Sequence, residues 1–368
     1  MKFSCEKTLL VDAVMNVSRV IPSKSSIPSL EGIKITAQAG TLVLCGYDME
    51  AGIKTSIQAN VIEEGEIVLS ARLFADMIRK MGEEISVEVG DKYLTEIKSG
   101  KTEFTILGIP TDEYPELPSI RQGNGIKIEK STLKSMIDQT LFAVAVTDTK
   151  PVHTGSLFEM KQDCLTLVSV DGYRLAIRNS PINGEEIPSF VVPGKVLSEI
   201  SKLIRDDDEQ ASIMISGRHI VFEIGQYSVI SRLLEGDFLD YRNSIPPNES
   251  TTVVISTRKL LESVERASLL ISDRLRSPLR VLFDASGVIK ISCATTIGKF
   301  SDEVPCKIEG ASVEMGFNNK YLLDALKAAD TDEVAIKING PLAPIKILPP
   351  EGEDFLFLVL PVRLRNEM

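Results

Sequence analysis

The strongest constraint on the fold is a pattern that occurs three times along the chain at near-constant spacing. One copy begins at Leu69, the next at Val192, 123 residues later, and the third at Phe317, a further 125 residues on. Each copy contains a basic residue, two apolar residues and an acid, and continues with apolar residues at helical spacing. Ser70 and Asn318 are typical helix N-cap residues, because a side-chain oxygen can accept a hydrogen bond from an unpaired backbone N–H. Since unrelated domains would not keep this spacing, we infer three similar domains.

A second helical pattern precedes this one in each third of the chain. Its apolar positions correspond in pairs, namely Leu10 and Val14, Leu133 and Ile137, and Leu260 and Val264. In the first of these helices we expect Leu9, Ala13, Val17 and Val20 to share one broad apolar face. Each third of the chain therefore contains two helices, which makes six predicted helices in all.

Short strands separated by turn residues surround the predicted helices. Each third reads as strand, helix, several strands, strand, helix and several strands, which is an α+β domain of about 120 residues and near the modal domain size. Residues that break regular structure cluster at 123–125 and 246–248. The predicted domains are therefore 1–123, 124–250 and 251–368.

A third repeated element places an acid directly after a strand. Asp48 follows the strand pattern at 41–44, and Asp171 follows the matching pattern at 164–167. The third copy, at 288–293, keeps the strand and lacks the acid. The two acids could be paired carboxylates, but a shared role in a turn, with Asp accepting bonds from nearby backbone N–H groups, is the favoured interpretation.

Charge is distributed unevenly between the predicted helices and the rest of the chain. The chain has a formal net charge of −11. The six helical stretches carry +6 together, so the remainder carries −17; these stretches are 6–20, 70–81, 129–143, 194–205, 257–270 and 318–329. If the helices share one surface, that surface would attract the DNA backbone without reading bases. Charge alone supports equally well a plain surface role, in which lysine stems cover apolar helix edges.

Several features argue against an enzyme. The chain has only two histidines, His153 and His219, and contains neither a GxxxxGK[ST] phosphate loop nor GxGxxG after a strand. Two rival functions remain open: a metal-dependent hydrolase built from repeated α+β domains, and a peptide-binding scaffold that never meets DNA. We expect no catalytic residue, no metal and no cofactor.

The expected compartment is the cytoplasm. The five cysteines form no CxxC pair, which argues against a disulfide framework or a zinc site and fits a reducing environment. The first residues show no signal-peptide pattern. The longest apolar run, 355–361, is far too short to span a bilayer, so no membrane partner is expected.

Several motifs, in their joint order and spacing, resemble a known family. They lie at 1–3, 171–176, 237–242, 316–324 and 360–364. The chain resembles the bacterial beta sliding clamps, the beta subunits of DNA polymerase III, over essentially its whole length. The resemblance implies a non-enzymatic processivity subunit with three DNA-clamp domains, whose helices line a central hole and whose antiparallel sheets form the outside. It also implies a head-to-tail homodimer, a ring that encircles double-stranded DNA without sequence specificity.

The resemblance also suggests residues for the DNA channel and the dimer interface. Channel residues of the family map onto Lys24, Arg72, Lys150 and Lys195, and charge alone adds Lys202 and Arg205. The interface would pair an edge strand at 101–107, with Lys101, Glu103 and Ile106, against a partner surface that includes Leu269 and Leu270. The alternative for that segment is a plain edge strand defended by its charged residues.

A peptide-binding groove is implied between the second and third domains. The family uses this groove to bind short segments of the DNA polymerase III alpha subunit, the clamp loader, other DNA polymerases and repair proteins. The matching positions are His153, Val170, Gly172, Tyr173, Arg174, Leu175, Leu239, Asn243, Asn318, Tyr321, Leu342, Pro344, Val359, Leu360, Pro361, Val362, Arg363 and Leu364. Apolar walls with a few fixed polar groups suit the capture of a Leu or Phe side chain. Without the resemblance, 360–364 would be read as an ordinary final strand and 173–174 as a surface turn.

The groove departs from the family pattern at a few positions. His153 stands where an aliphatic residue is usual, and Val170 where Ser or Thr is usual. Asn243 replaces a common Arg, and Pro344 replaces a common Ser. Residues 365–368 extend past the usual terminal Leu.

Overall fold

The computed structural model describes most of the chain. The described residues are 1–118, 124–147, 149–161, 163–182, 186–205, 207, 209–271 and 277–364. The tail at 365–368 lies outside them.

The described residues contain six α-helices, one at each predicted position. They are α1 Lys7–Val17, α2 Ala71–Arg79, α3 Lys130–Leu141, α4 Gly194–Leu203, α5 Thr257–Ser268 and α6 Asn319–Ala328. The paired apolar positions of the repeat are all at most 2% exposed, namely Leu10, Val14, Leu133, Ile137, Leu260 and Val264. The helical repeat predicted from the sequence is therefore confirmed.

Two details of the helix prediction are wrong. Leu9 is 41% exposed, because the buried face of α1 is one residue further on and includes Leu10 and Val14 as well as Ala13. Ser70 does lie at the N-cap of α2, but its hydroxyl accepts no capping bond from the described part of that helix. Asn318 behaves as expected, since its side chain accepts a hydrogen bond from the Lys320 N–H.

Strands make up the rest of each repeat. The first third contains β1 Lys2–Glu6, β2 Gly32–Gln38, β3 Thr41–Tyr47, β4 Ala51–Gln58, β5 Asn60–Glu63, β6 Gly65–Ser70, β7 Glu84–Val89, β8 Leu94–Ser99 and β9 Thr102–Leu107. The second third contains β10 Asn124–Glu129, β11 Gly155–Lys161, β12 Cys164–Val170, β13 Arg174–Pro181, β14 Ile187–Pro193, β15 Gln210–Ser216, β16 His219–Ile224 and β17 Tyr227–Arg232. The last third contains β18 Thr251–Ser256, β19 Leu279–Asp284, β20 Val288–Thr295, β21 Gly298–Pro305, β22 Lys307–Gly310, β23 Val313–Phe317, β24 Glu333–Ile338, β25 Ile345–Leu348 and β26 Phe355–Val359.

The chain divides into two compact units, the first of which comprises Met1–Leu133 and Lys195–Leu233. It holds a five-stranded sheet in the order β5-β1-β7-β8-β9 and an eight-stranded sheet in the order β10-β15-β16-β17-β4-β3-β2-β6. Within it α1 packs against α2 and β4. The side chains of Phe3, Leu10 and Phe74 are fully buried there.

The second unit comprises Lys134–Gly194 and Leu234–Met368. It holds a nine-stranded sheet in the order β14-β11-β12-β13-β26-β25-β24-β18-β22 and a four-stranded sheet in the order β21-β20-β19-β23. Helices α5 and α6 pack together over an apolar cluster that includes Val253, Phe317 and Phe357. A second cluster includes Val152, Leu175 and Tyr241.

Sheets run continuously from one repeat into the next. In the first unit β17 pairs antiparallel with β4, and Val229 lies opposite Ile53. In the second unit β26 pairs in the same way with β13, and Phe357 lies opposite Ala176. The central repeat therefore contributes strands to both units, which is why the chain divides by contact into two units although the pattern repeats three times.

Candidate functional site

The turn between β12 and β13 is built around Asp171. Its Oδ1 accepts hydrogen bonds from the backbone N–H groups of Tyr173 and Arg174, both at 3.0 Å. Gly172 has φ of +85°, a left-handed conformation that favours glycine. The matching Asp48 accepts from the N–H groups two and three residues on, at 3.0 and 2.7 Å. The turn interpretation of the repeated acid is therefore confirmed.

Arg174 links this turn to α6. The residue is only 8% exposed. Its Nε donates to Asp171 Oδ2 at 2.9 Å and its Nη1 donates to Asp324 Oδ2 at 2.5 Å. The guanidinium also lies 4.7 Å from the ring centre of Tyr321 and 5.4 Å from that of Phe142, both within cation–π range.

Two of these partners were not among the predicted site residues. Phe142 gave no signal in the sequence, since an aromatic residue just after a helix is most simply a core residue. Asp324 did give a signal, because it is the acid of the threefold pattern in α6. Its role could not be predicted, because its partner Arg174 lies 150 residues away in the sequence.

Two tyrosines form the exposed part of the site. The rings of Tyr173 and Tyr321 are stacked, with centroids 5.8 Å apart and an interplanar angle of 22°. Tyr173 is 60% exposed, whereas Tyr321 is half-buried. Burial and then the nearby charge of Asp171 raise the pKa of Tyr321. The stacked pair offers an aromatic surface.

The C-terminal segment runs beside the tyrosines. Leu360 N–H donates to the Tyr173 carbonyl at 2.9 Å, and Val362 N–H donates to the Gly316 carbonyl at 2.8 Å. A Cβ at Gly316 would lie 2.6 Å from the Val362 carbonyl oxygen and 2.7 Å from a methyl carbon of Leu364, so only glycine fits there. The final strand β26 ends at Val359, and the chain then crosses to β23. The side chains of Leu360 and Val362 remain exposed.

Several predicted groove residues are packed behind this surface. Val170, Leu175 and Val359 are at most 5% exposed, so their side chains support the site from the core. The His153 ring meets Phe238 edge to face, with centroids 5.7 Å apart.

The other predicted groove positions lie on loops and a helix start. Leu239 and Leu342 are exposed, and Pro344 is half-buried just before β25. Asn243 donates to Asp240 at 2.7 Å within its own turn. Pro361 is half-buried and Arg363 is exposed.

Three of the six predicted DNA-contact residues are engaged in ion pairs. The nitrogen-to-oxygen distances are 2.9 Å from Lys195 to Asp48, 2.7 Å from Lys202 to Glu199, and 2.7 Å from Arg205 to Asp12.

The other three are exposed. Lys24 and Arg72 form no ion pair with any described residue. Lys150 is exposed as well.

Two acids shortly after α4 are paired with a helix start. Asp207 and Glu209 pair with the buried ammonium of Lys130, at 3.0 and 2.6 Å. Burial alone would lower the pKa of Lys130, but hydrogen bonds to Glu209 and Asp207 outweigh it and raise that pKa. The acids therefore anchor the start of α3.

The predicted interface strand is a sheet edge. β9 begins at Thr102, so Lys101 lies in the preceding turn, and Glu103 is exposed while Ile106 is half-buried. Leu107 on this strand is 71% exposed and Leu269 is 82% exposed. Leu270 is half-buried and lies 3.7 Å from where a Cβ would stand at Gly298.

Ile297, in the turn before β21, is 68% exposed and was not predicted. It occupies the repeat position of Tyr173, because Val170 pairs with Leu175 and Ala294 pairs with Lys299 across matching turns.

Among the described residues, no cluster of three or more His, Cys, Asp or Glu side chains is arranged to hold a metal ion. No helix in the same ranges is long and apolar enough to cross a membrane. All five cysteines are free thiols.

Comparison with known proteins gives consistent matches along the whole chain. Family models for the DNA polymerase III beta subunit match in order, with the N-terminal domain at 1–118, the central domain at 127–240 and the C-terminal domain at 242–363. The beta sliding clamp of Bacillus subtilis is 34% identical over 376 residues, covering 99% of this chain and 100% of the relative. The chain belongs to the DNA polymerase III beta subunit family.

Solved clamp structures agree with this membership. The crystal structure of the Bacillus subtilis sliding clamp has a TM-score of 0.95 at 34% identity, covering 99% of this chain and all of the other. The beta subunit structure from Streptococcus pyogenes has a TM-score of 0.93 at 28% identity, with the same coverage. The expected α+β fold of three clamp domains is thus confirmed. Membership of this beta subunit family also supports a clamp role in DNA replication and not an enzyme.

Proposed function

We propose that two copies of this chain close head to tail into a ring around double-stranded DNA. The ring tethers the replicative polymerase for processive synthesis and holds DNA without sequence specificity. Its three domains per chain are proposed at 1–123, 124–250 and 251–368, with the six helices facing the hole and the sheets outside. We place it in the cytoplasm, which suits its five free thiols.

The observation that carries the proposal is a pair of unmatched sheet edges. Two inter-repeat junctions are made within the chain, β17 with β4 and β26 with β13. The equivalent strands left over are β9, at the end of the five-stranded sheet, and β21, at the end of the four-stranded sheet. Joining them gives the order β5-β1-β7-β8-β9-β21-β20-β19-β23. This is equivalent, strand by strand, to the nine-stranded sheet of the second unit read from β22 to β14. Because the two edges differ, the contact is head to tail and must close by rotation.

The repeat also specifies the register of this third junction. Phe104 in β9 holds the position of Val229 and Phe357, since it pairs with Ile97 as they pair with Phe222 and Ile347. Phe300 in β21 holds the position of Ile53 and Ala176 by the same reasoning. Phe104 should therefore lie opposite Phe300 of the second copy. Leu107 then lies opposite Ile297, which covers the two most exposed apolar side chains of these edges.

The proposed DNA contact is electrostatic. The helical stretches carry +6 in a chain of −11, so a hole lined by helices would be basic within an acidic body. Phosphate contacts of this kind position a protein on duplex DNA but carry no sequence information. The acidic remainder would discourage DNA from binding outside the ring.

The stacked tyrosines and the C-terminal segment are the proposed peptide site. Tyr173, Tyr321, Leu360 and Val362 offer apolar surface, and Arg174 fixes the turn that carries Tyr173. This combination suits a short peptide with a Leu or Phe anchor. The proposed ligands are segments of the polymerase alpha subunit, the clamp loader, other DNA polymerases and repair proteins.

Retention on circular and linear DNA tests the ring. The chain is loaded onto a nicked plasmid by its clamp loader with ATP, separated by gel filtration, and the plasmid is then cut once. A ring stays with the circle and is lost after the cut, since it slides off the ends. Equal retention before and after the cut would show a simple binder, and no retention on the circle would favour a scaffold that does not meet DNA.

A further inference from the structure

The second helix of every repeat carries the same three charges. A cation is followed four residues later by an acid and seven residues later by another cation. The sets are Arg72, Asp76 and Arg79 in α2; Lys195, Glu199 and Lys202 in α4; and Lys320, Asp324 and Lys327 in α6. Residues four and seven apart lie on one face of a helix. Each helix therefore presents an early cation, an acid and a late cation along a single stripe.

The late cation of every stripe is paired within the chain. The distances are 3.1 Å from Arg79 to Asp76, 2.7 Å from Lys202 to Glu199, and 3.0 Å from Lys327 to Glu265 on α5. The carboxylate already neutralises the cation, as a DNA phosphate would. A phosphate contact at such a cation therefore releases fewer counterions.

The early cations differ from one repeat to the next. Lys195 is bonded to Asp48, whose other oxygen is fixed by two backbone N–H groups. The matching Asp171 forms no ion pair with Lys320, because its second oxygen accepts a hydrogen bond from Arg174. Neither Lys320 nor Arg72 forms an ion pair with any residue that the structure describes, and both are exposed.

The turn that would face Arg72 belongs to the second copy. By the repeat, the turns at Asp48 and Asp171 correspond to the turn after Ala294, where Thr295 replaces the acid. No carboxylate at that position would neutralise Arg72 when the two copies join. The loss of the acid in the third repeat thus leaves this cation available.

We propose that Arg72 and Lys320 are the helix cations of this threefold stripe that contact DNA phosphates. Lys195 and Lys202 are instead engaged in ion pairs with Asp48 and Glu199. This inference rests on the proposed DNA-encircling function and adds Lys320 to the contact set. The three stripes have the same charge pattern in sequence. The placement of Asp48, Asp171 and Arg174 decides whether the early cation of a stripe is neutralised.

Two variants with the same change in charge separate the two sets. Arg72→Gln with Lys320→Gln removes the free cations, and Lys195→Gln with Lys202→Gln removes the paired ones. Binding to a short fluorescent DNA duplex with free ends is measured by anisotropy over a series of KCl concentrations at neutral pH. Thermal melting of each variant checks that it is folded.

The salt slope of log K decides the outcome. Each lost phosphate contact lowers the slope by about 0.9, so the four free cations of a two-copy ring account for about 3.6. We expect that drop in the first variant and a drop of less than about 1 in the second. Equal drops, a larger drop in the second variant, or no drop in either would overturn the inference. As long as the wild-type chain shows salt-dependent binding, such a result would not contradict the proposed DNA-encircling ring. A wild-type chain that shows no salt-dependent binding would overturn the proposed function itself.

Discussion

At the scale of single residues, Arg174 joins two carboxylates and two aromatic rings. Its guanidinium is buried between two carboxylates and two rings, which fixes both the Asp171 turn and α6. Burying a cation is favourable only when its partners are held in good geometry, and here the backbone holds Asp171. The proposed peptide site therefore depends on a residue that exposes little surface itself.

Replacing Arg174 with Ala should destabilise the second unit by about 3 kcal/mol or more, because Asp171 and Asp324 lose their cation in a partly buried site. The matched control is Arg258→Ala, which removes an exposed pair with Glu262 on α5 and should cost within about 0.5 kcal/mol. Urea denaturation measures both free energies of unfolding. Similar losses in the two variants would contradict the role given to Arg174.

At the scale of elements, side-chain burial alternates along β9 and β21, so that only one face of each strand packs toward the core. Phe104 and Ile106 are half-buried, whereas Glu103 and Leu107 are exposed. On β21 Phe300 is half-buried, whereas Lys299 and Ser301 are exposed. A register with Phe104 opposite Phe300 keeps like faces together, and a shift by one residue would turn every side chain to the wrong face.

The register predicts which engineered cysteines form a disulfide between copies. Glu103→Cys with Ser301→Cys places the two thiols directly opposite, about 5 Å apart at Cβ, so mild oxidation should give a covalent dimer. Glu103→Cys with Asp302→Cys is the control, since those side chains point to opposite faces. Non-reducing gel electrophoresis measures the dimer fraction against the oxidised wild type. More dimer in the control pair would refute the register.

At the scale of the whole molecule, the proposed ring would cover apolar surface that the single chain leaves exposed. Leu107, Ile297 and Leu269 are each more than two-thirds exposed. Exposed leucines and isoleucines at sheet edges usually mark an association surface. The proposed ring places Leu107 opposite Ile297 of the second copy.

Leu107→Asp should therefore halve the solution mass at micromolar concentration, because a desolvated carboxylate would oppose the joining of the copies. Ile62→Asp is a matched control: Ile62 is similarly exposed, at 64%, but lies on β5 at the opposite edge of the same sheet. Light scattering coupled to gel filtration measures both masses. A dimer that survives Leu107→Asp, or one that is lost with Ile62→Asp, would place the interface elsewhere.

The candidate site was only partly predictable. The sequence indicated Tyr173, Arg174, Tyr321 and the C-terminal segment through the resemblance, and the structure brings these together. It did not indicate that Arg174 would bind Asp324, since a local pattern cannot specify a partner so far along the chain.

The sequence by itself determined the three repeats, the six helices and the Asp turns, because periodicity and turn chemistry act over a few residues. Only the tertiary structure decided which strands join neighbouring repeats and which cations are neutralised, since both depend on contacts between distant segments. The face of α1 shows the same limit: Leu9 fits the helical period, but packing against β4 buries Leu10 instead.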